Sequence, residues 1–205
     1  AMRLLLPFFL ATCLALITPP ASRAQETIQP NVLLIISDDQ AWGDYSFLKH
    51  PHIETPHLDK LAGESLTYTR GYVAAPLCRP SLASIFSGKY PHQHGITGND
   101  PRLPPGKKGG RTTPGLKPLY ETIMDRIDDD PGLAHLLGQA GYLSLQTGKW
   151  WEGDPRERGG FTHAMTHGDP KRGGRHGDAG LKVSRQGIKP IADFIAEAKQ
   201  QEKPF

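Results

Sequence analysis

The sequence predicts an α/β fold with a parallel-rich central sheet and helices on both of its faces. Two observations carry this prediction. Short apolar, β-rich runs alternate with helical patterns in the order β-α-β-α-β-α, the order that builds a sheet with helices packed on it. The first run, Asn31-Val32-Leu33-Leu34-Ile35-Ile36-Ser37, is continuously apolar from Val32 to Ile36 rather than alternating. That is the pattern of a strand buried on both faces of a parallel sheet.

The elements follow in order. After the first strand comes Thr55-Pro56-His57-Leu58-Asp59-Lys60-Leu61-Ala62. It has a helix N-cap, Pro at the first helical position, and Leu58, Leu61 and Ala62 on one face. Residues 65–73 alternate weakly and predict a second strand. Residues 80–87 predict a helix that leaves a Pro-rich loop and stops at Gly88. Residues 99–119 are crowded with Pro and Gly and carry Lys107, Lys108 and Arg111, so they predict a basic surface loop. Residues 132–141 predict an amphipathic helix with Leu133, Leu136, Leu137 and Ala140 as its apolar side, and residues 142–147 the strand after it. Residues 156–180 form a second loop rich in Gly, Arg and His. Residues 184–201 predict a helix with Ile188, Ile191, Ala192 and Ile195 on one face.

Composition excludes several classes. The 205 residues include 23 glycines and 19 prolines, too many for a coiled coil or a helical repeat array. The balance of 24 Lys+Arg against 21 Asp+Glu, a net +3, is too small to imply nucleic acid. Residues 1–24 read as a signal peptide: Arg3, then the apolar run 4–17, then small residues before a cleavage site after Ala24. The run is short for a stable membrane span. Arg3 and Arg23 leave with the leader and no acid does, so the charge of residues 25–205 falls from +3 to +1. Cys13 leaves as well, so Cys78 stands alone in an exported, periplasmic or secreted chain and has no internal disulfide partner.

Asp38 and Asp39 end the first strand, where ligands bind in open α/β sheets. Two adjacent carboxylates there repel each other unless a cation or a base neutralises them. A solvated strand-to-loop turn is the plainer reading of these residues alone. Cys78-Arg79-Pro80-Ser81 opens a helix, a place that favours anions and thiolates. A buried structural cysteine is the plainer reading of Cys78 by itself.

In order along the chain, the strand ending in Asp38-Asp39, the Thr55-Pro56-His57-Leu58-Asp59 helix, Cys78-Arg79-Pro80-Ser81 up to Gly88, Gly141-Tyr142 and Gly148-Lys149-Trp150 resemble the type I, formylglycine-dependent sulfatases of the alkaline-phosphatase-like superfamily. The likeness runs from about residue 29 to the end and corresponds to the N-terminal part of a catalytic domain, leaving residues 25–205 as an incomplete domain. The resemblance implies that a separate maturation enzyme oxidises Cys78 to formylglycine. One hydroxyl of the hydrated aldehyde then attacks the sulfur of a sulfate ester, the alcohol leaves, and collapse of the sulfated intermediate restores the aldehyde. It implies Asp38, Asp39 and the residue made from Cys78 as ligands of a divalent cation, Ca2+ or else Mg2+, for which hard oxygen ligands are suited. It implies Lys149 as the sulfate-binding residue, with a sulfated small molecule or glycan as substrate. The family's later metal ligands would lie beyond Phe205, so residues 25–205 by themselves are expected to be inactive and to expose a sheet edge.

Two positions depart from the family pattern. Leu82 stands where an arginine is usual, and Trp151 where a histidine is usual. His92 and His94 are the candidates to supply the missing donor. The departures keep two alternatives open: a phosphodiester or phosphonate ester hydrolase of the same superfamily, and a catalytically silent binder of sulfated glycans. His163, His167 and His176 have spacings that fit no closed zinc site and are read as solvated. The acids Asp128, Asp129 and Asp130 are read as complementing a helix dipole.

Overall fold

Two segments far apart in sequence meet as parallel strands, β1 (Leu145–Gln146) and β2 (His163–Ala164), with Leu145 opposite His163 and Gln146 opposite Ala164. In this computed structural model the described residues are 29–109, 113–128, 131–166, 183 and 186–205. The helices among them are α1 (Pro56–Glu64), α2 (Cys78–Ser87), α3 (Pro91–His94), α4 (Lys117–Met124), α5 (Leu133–Gln139) and α6 (Lys189–Gln200). Short 3-10 turns span Ser46–Leu48 and Asp125–Ile127. One compact unit runs over Asn31–Phe205.

The backbone bonds extend the pair sideways. Leu143 N–H donates to Pro204 O at 2.9 Å, and Val32 N–H donates to Phe205 O at 2.6 Å. The Phe205 N–H in turn donates to Asn31 Oδ1 at 3.1 Å. The order across these bonds is Asn31 and Val32, then Pro204 and Phe205, then β1, then β2. This small parallel sheet with helices is consistent with the α/β class.

The first predicted strand is the main correction. Residues 31–37 form no strand, and Val32 to Ile36 are 40–77% exposed. A strand buried on both faces needs a bonded neighbour at each edge and cover on each side. Among the described residues this run makes one backbone hydrogen bond, from Val32. Residues 65–73 likewise form no strand, and Tyr68, Tyr72 and Val73 are exposed. Among the described residues their weak alternation has no neighbouring strand to reward it.

The helix signals were the more legible ones. Gly88 caps α2 in the left-handed conformation, φ 69°, and its N–H donates to Ser84 O at 2.9 Å. Thr55 does precede α1, but its hydroxyl serves a different purpose from capping. It accepts from Ser46 N–H at 3.0 Å and donates to Asp59 Oδ1 at 2.9 Å. Asp59 also accepts from Ser46 Oγ at 2.6 Å and from Phe47 N–H at 3.1 Å. This network ties the first 3-10 turn to α1, whose residues are none of them buried.

The expected loop 99–119 gives way to α4 at Lys117, with Leu116 and Tyr120 buried. Pro118 sits in the first turn, where its missing N–H costs nothing, so it starts this helix instead of breaking it. In α5 Ala134 is buried while Leu136 is exposed. In α6 the inner stripe is Ile191, Phe194, Ile195 and Ala198, at i, i+3, i+4 and i+7; Ile188 and Ala192 face out. Ser184 and Arg185, in the expected first turn, lie outside the described residues, and so does the leader 1–24.

Two apolar clusters form the core. The larger joins Ala83 and Phe86 of α2, Ile96, Ile123, Ile127, Ala134 and Trp150, with Phe161 against it. Phe86, Trp150 and Phe161 meet with ring centroids 5.1–6.1 Å apart. This cluster fixes α2 against the segment after β1, the two pieces that carry Cys78 and Lys149. The smaller joins Leu143, Phe194 and Ala198 with Leu145, Ile195 and Phe205.

Candidate active site

Three separate segments converge on one point. Cys78 is the first residue of α2, preceded by Leu77 in extended conformation, so its thiol stands at the positive end of a ten-residue helix. Asp38 and Asp39 come from the turn after residues 31–37. Asp39 has φ 54°, a left-handed conformation that Asp tolerates better than most residues. In an extended run, neighbouring side chains point to opposite sides. The left-handed residue breaks that alternation, and the carboxylates of Asp38 and Asp39 and the Cys78 sulfur offer atoms all within 4.8 Å of one another. Lys149 follows Gly148, whose carbonyl is pinned by Gln146 Nε2 at 2.6 Å and Thr166 Oγ1 at 2.5 Å.

At the centre, Lys149 Nζ donates to Asp38 Oδ2 and lies 3.8 Å from Cys78 Sγ. The Cys78 thiol donates to Asp38 Oδ1 at 3.6 Å, within the range for sulfur. The hydrogen bond from Lys149 holds the Asp38 carboxyl below the usual carboxylate range, aided by the lysine's charge and the Cys78 contact. The same bond holds Lys149 above the usual lysine value, with the negative charges of Asp38 and Asp39 adding to it. The Lys149 ammonium also stands 5.8 Å from the centroid of the Trp151 ring, in cation–π range. Trp151 therefore lies under the lysine at the position where the family pattern has histidine.

The donor chemistry fits a hard divalent cation. Two carboxylates share one small volume, and an oxygen-bearing residue made from Cys78 would complete a hard set where a thiol is a soft ligand.

The predicted histidines make other contacts. His94 is buried with its Nε2 3.0 Å from Ser84 Oγ on α2, while Nδ1 accepts from Ile96 N–H at 3.1 Å. Both ring nitrogens are engaged away from Cys78. His92 is exposed and stacks on Tyr90, ring centroids 5.9 Å apart. His163, expected to be solvated, is half-buried, with its ring 5.2 Å from that of Phe194 and Nε2 3.4 Å from Glu197. Asp128 pairs with Arg158 at 3.0 Å. Lys107 and Lys108 are exposed; Arg111, His167, His176, Asp129 and Asp130 lie outside the described residues.

Sequence reasoning missed the polar tie behind the site. Arg79 and Glu152 form a buried, two-bond ion pair, Nε to Oε1 at 2.7 Å and Nη2 to Oε2 at 2.6 Å. A signal was present. An arginine in the first turn of a helix opposes the dipole, and such a residue calls for an acidic partner.

With this geometry in place, comparison with known proteins decides the family. The family model described as Sulfatase matches residues 30–205. The chain belongs to the sulfatase family. All four converging residues fall inside that match. N-acetylgalactosamine-6-sulfatase of Homo sapiens is 35% identical over 139 residues, covering 68% of this chain and 24% of the relative. Arylsulfatase A of Bos taurus is 37% identical over 121 residues, covering 59% of this chain and 20% of the relative. The chain thus spans about a quarter or less of the length of these relatives. Among solved structures, the crystal structure of Ps i-CgsB is similar over 68% of this chain and 29% of its own, with TM-score 0.52 and 30% identity. Membership and this likeness support an alkaline-phosphatase-like α/β fold. Among the described residues, no helix is long and apolar enough to cross a membrane.

Proposed function

We propose that this protein hydrolyses a sulfate ester, of a carbohydrate or another sulfated small molecule, at the site where Asp38, Asp39, Cys78 and Lys149 converge. The observation that carries the reading is this convergence: residues 40 and 111 positions from Asp38 in sequence place a thiol and an ammonium against one carboxylate. A formylglycine made from Cys78 by a maturation enzyme supplies the hydroxyl nucleophile, and Ca2+ or Mg2+ on Asp38 and Asp39 supplies positive charge for sulfate oxygens.

The chain's own residues do the rest. Lys149 has three N–H donors and a fixed charge, so one donor can stay on Asp38 while another meets a sulfate oxygen. Asp38, bonded to both Lys149 and Cys78, holds the two side chains in one orientation. The N-terminal end of the α2 dipole adds positive potential at the same place. Overall, one water is consumed, one ester bond to sulfate is broken, and an alcohol and hydrogen sulfate leave. We place the reaction outside the cytoplasm, after removal of residues 1–24. N-terminal sequencing of the exported protein tests that part, with a start at residue 25 expected.

The test of the reaction is a comparison of rates on an aryl sulfate and an aryl phosphodiester, for wild type and Cys78→Ala. Preference for the sulfate, lost in the variant, supports the reading. Preference for the phosphodiester favours the phosphodiesterase alternative. No turnover of either, with retained binding of a sulfated glycan, favours the silent binder.

A further inference from the structure

We propose that the buried Arg79–Glu152 ion pair is a positioning element that holds Lys149 against Asp38 and Cys78, an inference that rests on the sulfate-ester reading above. Arg79 is the next residue after Cys78, and Glu152 lies three residues after Lys149. The pair therefore ties the start of α2 directly to the lysine's segment. Its side chains are 2% and 5% exposed. Arg79 is also fastened at its backbone, where its N–H donates to Asn99 Oδ1 at 2.9 Å, and its Nη1 reaches Asn99 O at 3.4 Å.

The physical case is one of geometry over stability. A buried ion pair commonly adds little stability beyond what an apolar pair of similar volume would give. A two-bond guanidinium–carboxylate contact, however, fixes distance, plane and rotation together. The aromatic packing of Phe86, Trp150 and Phe161 brings the same two segments close but is non-directional. Arg79 also stands in the first helical turn, where its charge opposes the dipole, so stability of α2 does not account for it. The polar tie falls beside the two positions where this chain departs from the family pattern: Arg79 precedes Leu82 in the same helix, and Glu152 adjoins Trp151. Arg79 and Glu152 are positioning residues, since both are buried and act through Lys149.

The experiment is a double-mutant cycle on the full, matured chain. The tie is removed by Glu152→Gln and, separately, by the paired change Arg79→Met with Glu152→Leu, which keeps the site filled if the single change unfolds the protein. Each is made in wild type and in Lys149→Ala. Two readouts are taken: kcat/KM on an aryl sulfate, and affinity for inorganic sulfate by calorimetry. The expected result is a loss of about tenfold or more in both readouts with Lys149 present, and less than about twofold in Lys149→Ala, because a small misplacement costs only when the misplaced group is there. Wild-type values in a folded paired variant would overturn the inference. So would equal losses in both backgrounds, which mark a role in stability alone. If Lys149→Ala itself changes neither readout, the sulfate-ester reading fails and the inference with it, a result separate from failure of the tie alone.

Discussion

The Lys149 ammonium and the Asp38 carboxylate form an ion pair across 111 positions of sequence, and the Cys78 sulfur lies beside both. That contact brings together a loop after an apolar run, a helix start and a segment after β1. Each piece alone has an ordinary explanation, and their meeting is what gives the site its chemistry.

The first prediction concerns Lys149. Replacement by Ala removes the group placed to meet charge on the transferred sulfate. The loss expected for one such donor is about 10²–10³ in kcat. Steady-state kinetics on an aryl sulfate measures it, with thermal unfolding as the check on folding.

The second concerns pH. Asp38 titrates below its ordinary value, so its share of the pair's stability is full above the unfolded carboxyl value and fades as pH falls through the folded one. Lys149 titrates above its ordinary value, so its share is full below the unfolded lysine value and fades as pH rises through the folded one. The pair therefore stabilises over the broad window between about pH 4 and pH 10. Its side chains are 50% and 27% exposed, so solvent screening keeps the contribution to about 1 kcal/mol or less. Urea unfolding of wild type and Lys149→Met across that range should show a small constant gap that closes at both ends.

The third concerns the cation. Calcium should raise the melting temperature of wild type in a concentration-dependent way, and a chelator should reverse the rise. Asp38→Asn and Asp39→Asn should each abolish the effect, because the site loses half its carboxylate charge. Calorimetric titration with calcium chloride gives the same answer without unfolding.

The fourth concerns Asp59. Hydrogen bonds from Ser46, then from Thr55 and the Phe47 backbone, hold its carboxyl below the usual range. Its contribution is present above the unfolded carboxyl value and is lost as pH falls through the folded one. Asp59→Asn should be less stable than wild type at neutral pH and equal to it in acid, as denaturant titrations at the two pH values will show.

The fifth concerns the core that positions the site. A Cβ at Gly132 would lie 1.9 Å from the Phe86 ring, which is itself held by Trp150 and Phe161. Gly132→Ala should cost about 1–3 kcal/mol through overpacking, measured by chemical denaturation.

What could be read from the sequence divides along physical lines. Local signals were legible: Pro56 and Gly88 mark helix ends because their constraints act within a turn or two of chain. Phe194 and Ala198 were overlooked in a stripe that the 3.6-residue period does contain. Pro118 was misread because the same residue serves loops and first turns. The run 31–37 was read as a covered strand, and cover depends on neighbours that no local pattern contains. The candidate site was half legible. Asp38, Asp39, Cys78 and Lys149 were named from order and motif, while Arg79 and Glu152, 73 positions apart, pair only in three dimensions. His94 was proposed as a substitute for the histidine that Trp151 replaces, and its engagement by Ser84 and Ile96 depends on the packing of α3 on α2.

The most direct measurement is mass spectrometry of the peptide that contains Cys78, taken from the chain produced together with a maturation enzyme. An aldehyde is expected at position 78 in place of the thiol, in a preparation of the protein that hydrolyses an aryl sulfate. An unmodified thiol in a preparation with full sulfatase activity would contradict it.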